Sequence, residues 1–230
     1  MPPLDDPALE RIARFWDARG REDPLRYSVP GGPPVDEFSF VASGEDLLDV
    51  LEDLVGFAPE GAPVAVDAGC GAGRVTGALA LRADAVIACD IAPSMLAAAR
   101  ERHASLDNVT WHPAHAGALR PVATGTADAV LLLGVLPHLP TVDLIGDVLR
   151  ELGRVLRPDA TAVFDVRSGT PAPLLPGESS LPEYVSAHPL WRGTAVDLET
   201  LAAIAHQEQL VLERIEGSGT TRCVVLARRE

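Results

Sequence analysis

The chain has 230 residues, 47% of them hydrophobic, which suits one well-buried core and is too short for two ordinary domains with a linker. Its 33 acidic side chains against 19 basic ones give a formal charge of -14, which opposes a phosphate backbone and counts against a nucleic-acid partner. Every basic side chain other than histidine is arginine, so chemistry that needs a phosphate-loop lysine or a Schiff-base lysine is excluded.

In chain order, Leu9, Ile12, Ala13 and Trp16 recur at helical spacing and predict a helix over residues 7–19. Residues 23–40 hold Pro24, Pro30, Gly31, Gly32, Pro33 and Pro34 and predict a loop. A second helix follows over 45–57, carried by Leu47, Leu48, Leu51, Leu54 and Val55. From residue 63 short apolar runs alternate with helical segments, the pattern of a parallel sheet covered on both faces. The predicted strands are 64–67, 85–90, 109–112, 129–134 and 161–166. Leu144, Ile145, Val148, Leu149, Leu152, Val155 and Leu156 form one helical stripe between the last two. Residues 168–192 break the rhythm with five prolines, after which a helix over 197–209 and strands over 211–216 and 222–228 close the chain around the turn Gly217-Ser218-Gly219. The expected architecture is α/β: a doubly wound, mostly parallel seven-stranded sheet with a C-terminal antiparallel pair. Residues 1–59 form a helical cap and lid, residues 60–230 the core, and residues 168–192 an inserted flap.

Cys70, Cys89 and Cys223 lack the paired spacing of a zinc site or a disulfide framework, which predicts a reducing cytoplasm and no metal. The first ten residues lack the basic and apolar regions of a secretion signal, and no apolar run reaches membrane-spanning length, so no membrane partner is expected.

Chemistry concentrates where the first predicted strand meets Gly69-Cys70-Gly71-Ala72-Gly73, a turn whose small residues let backbone amides approach a ligand. Such glycines also serve strand-to-helix turns that bind nothing. The dinucleotide fingerprint is broken in both registers, because the third glycine would fall on Arg74 or Thr76. Asp90 ends the next strand, where a carboxylate accepts from both hydroxyls of a ribose.

These motifs resemble those of the class I S-adenosylmethionine-dependent methyltransferases, in their small-molecule branch. Asp67-x-Gly69-Cys70-Gly71-x-Gly73-Arg74 is similar to that family's first motif and Cys89-Asp90-Ile91-Ala92-Pro93-Ser94-Met95-Leu96 to its second. The segment 127–130, the segment 134–139 and the segment 149–158 resemble the later ones. The resemblance spans about residues 64–166 and implies a Rossmann-like methyltransferase fold, S-adenosylmethionine as cofactor and S-adenosylhomocysteine as product. It implies that Gly69, Gly71 and Gly73, with Ala68, Cys70 and Arg74 around them, line the methionine part while Asp67 organises the loop near the amino group. Asp90 takes the ribose, and Ile91 and Met95 flank the adenine. Ala114, His115 and Ala116 stand where the family usually carries an acidic residue facing the adenine amino group, and Leu133 and Gly134 end the fourth strand at the same edge.

Methyl transfer from a sulfonium requires a nucleophile held in line and shielded from water. His138, just after the fourth strand, is the candidate base, with packing under the following turn as the plainer reading. Asp165 and Arg167 are candidates to grip the acceptor, or simple strand-end charges. Tyr27 and Phe38 are candidates for an apolar lid over the cofactor, with Tyr184 and Trp191 on a second flap, and all four for contact with the acceptor, whereas Phe15 and Trp16 are expected to anchor their helix. The sequence Gly134-Val135-Leu136-Pro137 replaces the Asn/Asp-Pro-Pro-aromatic motif of enzymes that methylate nucleobases, which favours a small-molecule acceptor. Another transfer reaction on the same ligand, binding without turnover, and a nicotinamide oxidoreductase stay open at this level, the last opposed by the absence of a Tyr-x-x-x-Lys pair.

Overall fold

The computed structural model describes residues 7–29, 36–114, 119–169, 188–220 and 222–230. Helix α1 (Pro7–Glu22) leads into a short helix α2 (Pro24–Ser28), where sequence predicts a loop. The reason is local: the Asp23 carboxylate accepts from the Arg26 N–H at 3.0 Å, and Pro24 supplies a φ suited to a first helical position. Asp36 likewise accepts from the Ser39 N–H at 2.8 Å, so α3 (Glu37–Val55) begins at Glu37 and not at residue 45. Acidic caps thus convert both ends of the predicted loop into helix, and 30–35 lie outside the described residues.

Seven strands form one sheet: β1 (Ala65–Ala68), β2 (Val86–Asp90), β3 (Val109–Pro113), β4 (Ala127–Leu132), β5 (Leu156–Val166), β6 (Leu210–Glu216) and β7 (Cys223–Arg229). Their order is β3-β2-β1-β4-β5-β7-β6, parallel through β5, with β7 antiparallel to both β5 and β6. This is the predicted seven-stranded, mostly parallel architecture. The helices that follow are α4 (Thr76–Arg82), α5 (Pro93–Arg102), α6 (Val142–Val155), α7 (Pro189–Arg192) and α8 (Leu198–Gln207).

Alternation along the strands sorts the core into two layers. Val66, Ala68, Val130, Leu132, Ala162 and Phe164 pack with the apolar stripe of α6 and with α8. Ala65, Ala88, Ala129, Leu131 and Val163 pack with α3 and α4. The α3 contact is close because a Cβ on Gly44 would lie 1.9 Å from the Arg74 carbonyl oxygen. Gly44→Ala is therefore expected to destabilise the fold by about 2 to 3 kcal/mol through overpacking. Chemical denaturation would measure this, and an unchanged midpoint would show that the two helices separate freely.

Helix α1 is tied to α5, since the Asp17 carboxylate accepts from the Ser94 N–H at 2.9 Å and the Ser94 hydroxyl donates to the Asp17 carbonyl at 2.8 Å. That seat carries Ile12 and Trp16 over the carboxyl edge of the sheet. Between β1 and β4 the strand order reverses, and open α/β sheets bind ligands in the crevice at such a point.

Candidate active site

The glycine turn after β1 is built from three left-handed residues, Gly69, Gly71 and Gly73, with φ of 81°, 54° and 84°. Its amides are engaged within the protein, which corrects the expectation that they face a ligand. Gly69 and Cys70 N–H groups donate to the Cys89 carbonyl at 2.7 and 3.0 Å, and Gly73 N–H to the Cys70 carbonyl at 2.9 Å. Gly71 N–H donates to Asp90 Oδ2 at 2.8 Å and Ala72 N–H to Ser28 Oγ at 2.9 Å. The glycines are required by this backbone path, which leaves a concave floor. His103, buried under the loop, hydrogen-bonds the Gly73 carbonyl through Nε2 at 2.8 Å.

Over this floor lies a cleft of about 1290 Å³, its open mouth included. Asp67, Ala68, Gly69, Cys70, Gly71 and Arg74 line it from the first motif, and Asp90, Ile91, Met95 and Ala114 from the second and third strand ends. Leu133, Gly134 and His138 line it after β4, and Ile12, Trp16, Tyr27 and Ser28 from the N-terminal helices.

Two buried carboxylates sit at adjacent strand ends. Asp67 accepts from the Thr76 hydroxyl at 2.6 Å, and burial, with the Asp90 charge adding to it, raises its carboxyl to about 6. Asp90 accepts from the Gly71 and Ala92 N–H groups at 2.8 Å each, and its pKa is also raised by burial, against the pull of those bonds. A carboxylate has about four lone-pair sites, so Asp90 holds the loop and still has capacity for ribose hydroxyls.

His138 is buried in a 3-10 turn over Leu136–His138, with Trp16 and Trp191 against its ring at centroid distances of 4.9 and 5.0 Å. Its Nδ1 lies 2.6 Å from the Trp191 carbonyl oxygen. A carbonyl only accepts, so Nδ1 carries the proton and Nε2 the lone pair. Burial lowers the imidazole to about 4, opposed by the Trp191 bond and assisted by the charges of Arg167 and Arg222, and the ring is neutral at physiological pH.

Residues 66–164 match the family described as a methyltransferase domain. The chain is 29% identical over 210 residues to the ubiquinone biosynthesis O-methyltransferase of Xanthomonas oryzae pv. oryzae, covering 89% of this chain and 78% of that protein. Among solved structures, the magnesium protoporphyrin IX methyltransferase of Synechocystis shares the fold with a TM-score of 0.66 at 20% identity, covering 96% of this chain and 99% of that one. The geranyl diphosphate C-methyltransferase of Streptomyces coelicolor does so with a TM-score of 0.68 at 16% identity, covering 100% of both chains. Residues 66–164 thus carry a methyltransferase domain, and the chain shares the fold of solved methyltransferases. S-adenosylmethionine is the methyl donor of that domain and S-adenosylhomocysteine its product. The lining fits that cofactor, since it combines a ribose-type carboxylate, a second carboxylate for a cation and apolar side chains for a base. Among the described residues no helix is long and apolar enough to cross a membrane.

In this methyltransferase several predicted residues stand elsewhere. Gly73 is beneath the loop and Phe38 is 84% exposed on the first turn of α3, because helix formation at Asp36 turns it outward. Asp165 accepts from the Gly134 N–H at 2.7 Å and from Arg222 Nε at 3.0 Å, away from the cleft lining. Arg167 donates to the Pro137 carbonyl at 3.0 Å and the Trp191 carbonyl at 3.4 Å. Both strand-end charges thus brace the loops after β4. Trp191 backs the cleft wall behind Trp16 and His138. Trp16 lines the cleft in addition to anchoring its helix. His115, Ala116 and Tyr184 lie outside the described residues. Ser28 and Arg222 also reach the cleft, and neither carried a local signal in the sequence.

Proposed function

We propose that the enzyme methylates a hydroxyl oxygen of a small acceptor with a flat, apolar body, and that His138 takes the proton. The observation that carries this reading is the tautomer of His138, whose lone-pair nitrogen belongs to a neutral ring lining the cleft. A base this weak suffices, because the hydroxyl becomes strongly acidic as its oxygen gains the methyl group. Trp16, Tyr27, Ile12 and Leu139 supply apolar walls that orient a ring and exclude water. The O-methyltransferase name of the Xanthomonas relative supports the same atom class. When bound, S-adenosylmethionine supplies a methyl group on a positively charged sulfur. Asp90 takes the ribose hydroxyls, Ile91 and Met95 flank the adenine, and Asp67 faces the amino group.

Incubating the enzyme with S-adenosylmethionine and matched panels of simple phenols and anilines, with S-adenosylhomocysteine release as readout, tests the atom class. Phenols should turn over and anilines should not, and the reverse preference would overturn hydroxyl methylation.

The Asp67 role has its own pH signature. A cationic ligand favours the ionised carboxyl, and a group titrating at about 6 is mostly protonated at pH 5 and mostly ionised at pH 7. The dissociation constant for S-adenosylhomocysteine is therefore expected to fall by about tenfold between pH 5 and pH 7, tightening as pH rises. Calorimetry at both pH values measures it, and equal affinities would remove Asp67 from the ligand's cationic end.

A further inference from the structure

Two guanidinium groups meet the cleft from opposite ends of the chain's core. Arg74 lines it from the end of the glycine turn and has no hydrogen-bond or ion-pair partner among the described residues. Burial lowers its pKa to about 10, the neighbouring Arg222 charge adds to the effect and the Asp67 and Asp165 charges oppose it, which places a largely desolvated cation beside a second one. Arg222 lines the same cleft and engages Asp165 through Nε alone, which leaves its terminal nitrogens available. Its main chain stands at the start of β7, four strand positions from Asp90 on β2. At about 4.8 Å per strand spacing that is roughly 19 Å from the ribose carboxylate, on the side of the cleft where His138 feels the Arg222 charge.

A largely desolvated guanidinium that makes no hydrogen bond among the described residues is costly even with carboxylate charge nearby, and an anionic ligand supplies the missing bonds. From this geometry we infer that Arg74, which the resemblance puts around the methionine part, turns instead with Arg222 to an anionic group on the acceptor, a carboxylate or a phosphate monoester. The inference rests on the cleft being the methyl-transfer site, and it narrows the acceptor to an amphipathic molecule. An apolar body lies against Trp16 and Tyr27, a hydroxyl meets His138, and an acidic group is held by the arginines. Guanidinium pairs suit both anions because their planar forks donate two parallel hydrogen bonds to adjacent oxygens. The overall charge of -14 repels such acceptors at the surface, so a fixed internal pair is the feature that admits them selectively.

The test uses enzyme saturated with S-adenosylhomocysteine and titrated by calorimetry with benzoate, phenyl phosphate and the neutral isostere benzamide. Benzoate or phenyl phosphate should bind at least about tenfold more tightly than benzamide. Arg222→Gln should bring that preference to within about twofold, and Arg222→Lys, which keeps the charge, should restore about a third of it. Across these variants the affinity ratio of S-adenosylhomocysteine to 5′-methylthioadenosine, which lacks the amino-acid part, should stay constant. No preference for the anions in the wild-type enzyme would overturn the inference without recourse to any variant. A collapse of the cofactor ratio in Arg222→Gln would overturn it too, because the pair would then grip the cofactor's own carboxylate. Failure of the wild type to bind S-adenosylhomocysteine is a separate measurement and would bring down the methyl-transfer reading itself.

Discussion

Replacing His138 with glutamine is expected to lower kcat by about 10²- to 10⁴-fold, the range that general-base catalysis contributes, while cofactor affinity changes little. Glutamine keeps polarity and most of the volume, and its amide N–H can still meet the Trp191 carbonyl that now accepts from Nδ1 at 2.6 Å. What it lacks is a basic nitrogen lone pair. In the wild type the imidazole protonates only near pH 4, so the base form is present throughout pH 5 to 8 and is lost as pH falls through 4. The expected profile for a phenol that turns over is therefore flat across that range as far as His138 is concerned. Single-turnover rates for wild type and variant decide the matter. A variant within about threefold of the wild-type rate would mean that the acceptor proton leaves to water, with His138 serving only to hold the Trp191 carbonyl.

Asp90→Ala is expected to weaken S-adenosylhomocysteine binding by about 2 to 3 kcal/mol, roughly 30- to 150-fold, through loss of charged hydrogen bonds to the ribose. The fold makes this substitution do two things at once. Asp90 is 8% exposed and accepts from the N–H groups of Gly71 and Ala92, so alanine also leaves two loop amides without their acceptor. A lower melting temperature is expected alongside the weaker affinity. Asp90→Asn removes the charge while keeping one of the two loop acceptors, because the Gly71 N–H meets Oδ2 and the Ala92 N–H meets Oδ1 and asparagine has a single oxygen, so its melting temperature is expected between those of alanine and wild type. If Asp90→Asn binds S-adenosylhomocysteine as tightly as the wild type, the ribose is held by other groups.

The sheet and the two carboxylates at its cleft-lining strand ends were legible in the linear chain because their signals are local. A buried strand reads as an apolar run, a doubly wound sheet as the alternation of such runs with helical stripes, and Asp67 and Asp90 as acids at the ends of those runs. The α6 stripe shows the same economy, with Ile145, Val148, Leu149 and Leu152 all buried on one side. The helices at Pro24 and Glu37 were hidden because a single capping carboxylate overrides a proline- and glycine-rich composition, and composition is what a window of residues reports. The duties of the polar groups were hidden for a different reason. Asp165 and Arg222 are 57 positions apart and meet only because β7 runs antiparallel against β5. Ser28 reaches the Ala72 N–H across 44 positions because α1 and α2 are seated on α5. Sequence by itself determined the fold, the cofactor class and the strand ends that line the cleft, since each depends on residues a few positions apart. Tertiary structure alone decided which charges brace the loops and which stay open to a ligand, because a buried charge takes its role from the partner that long-range packing places beside it.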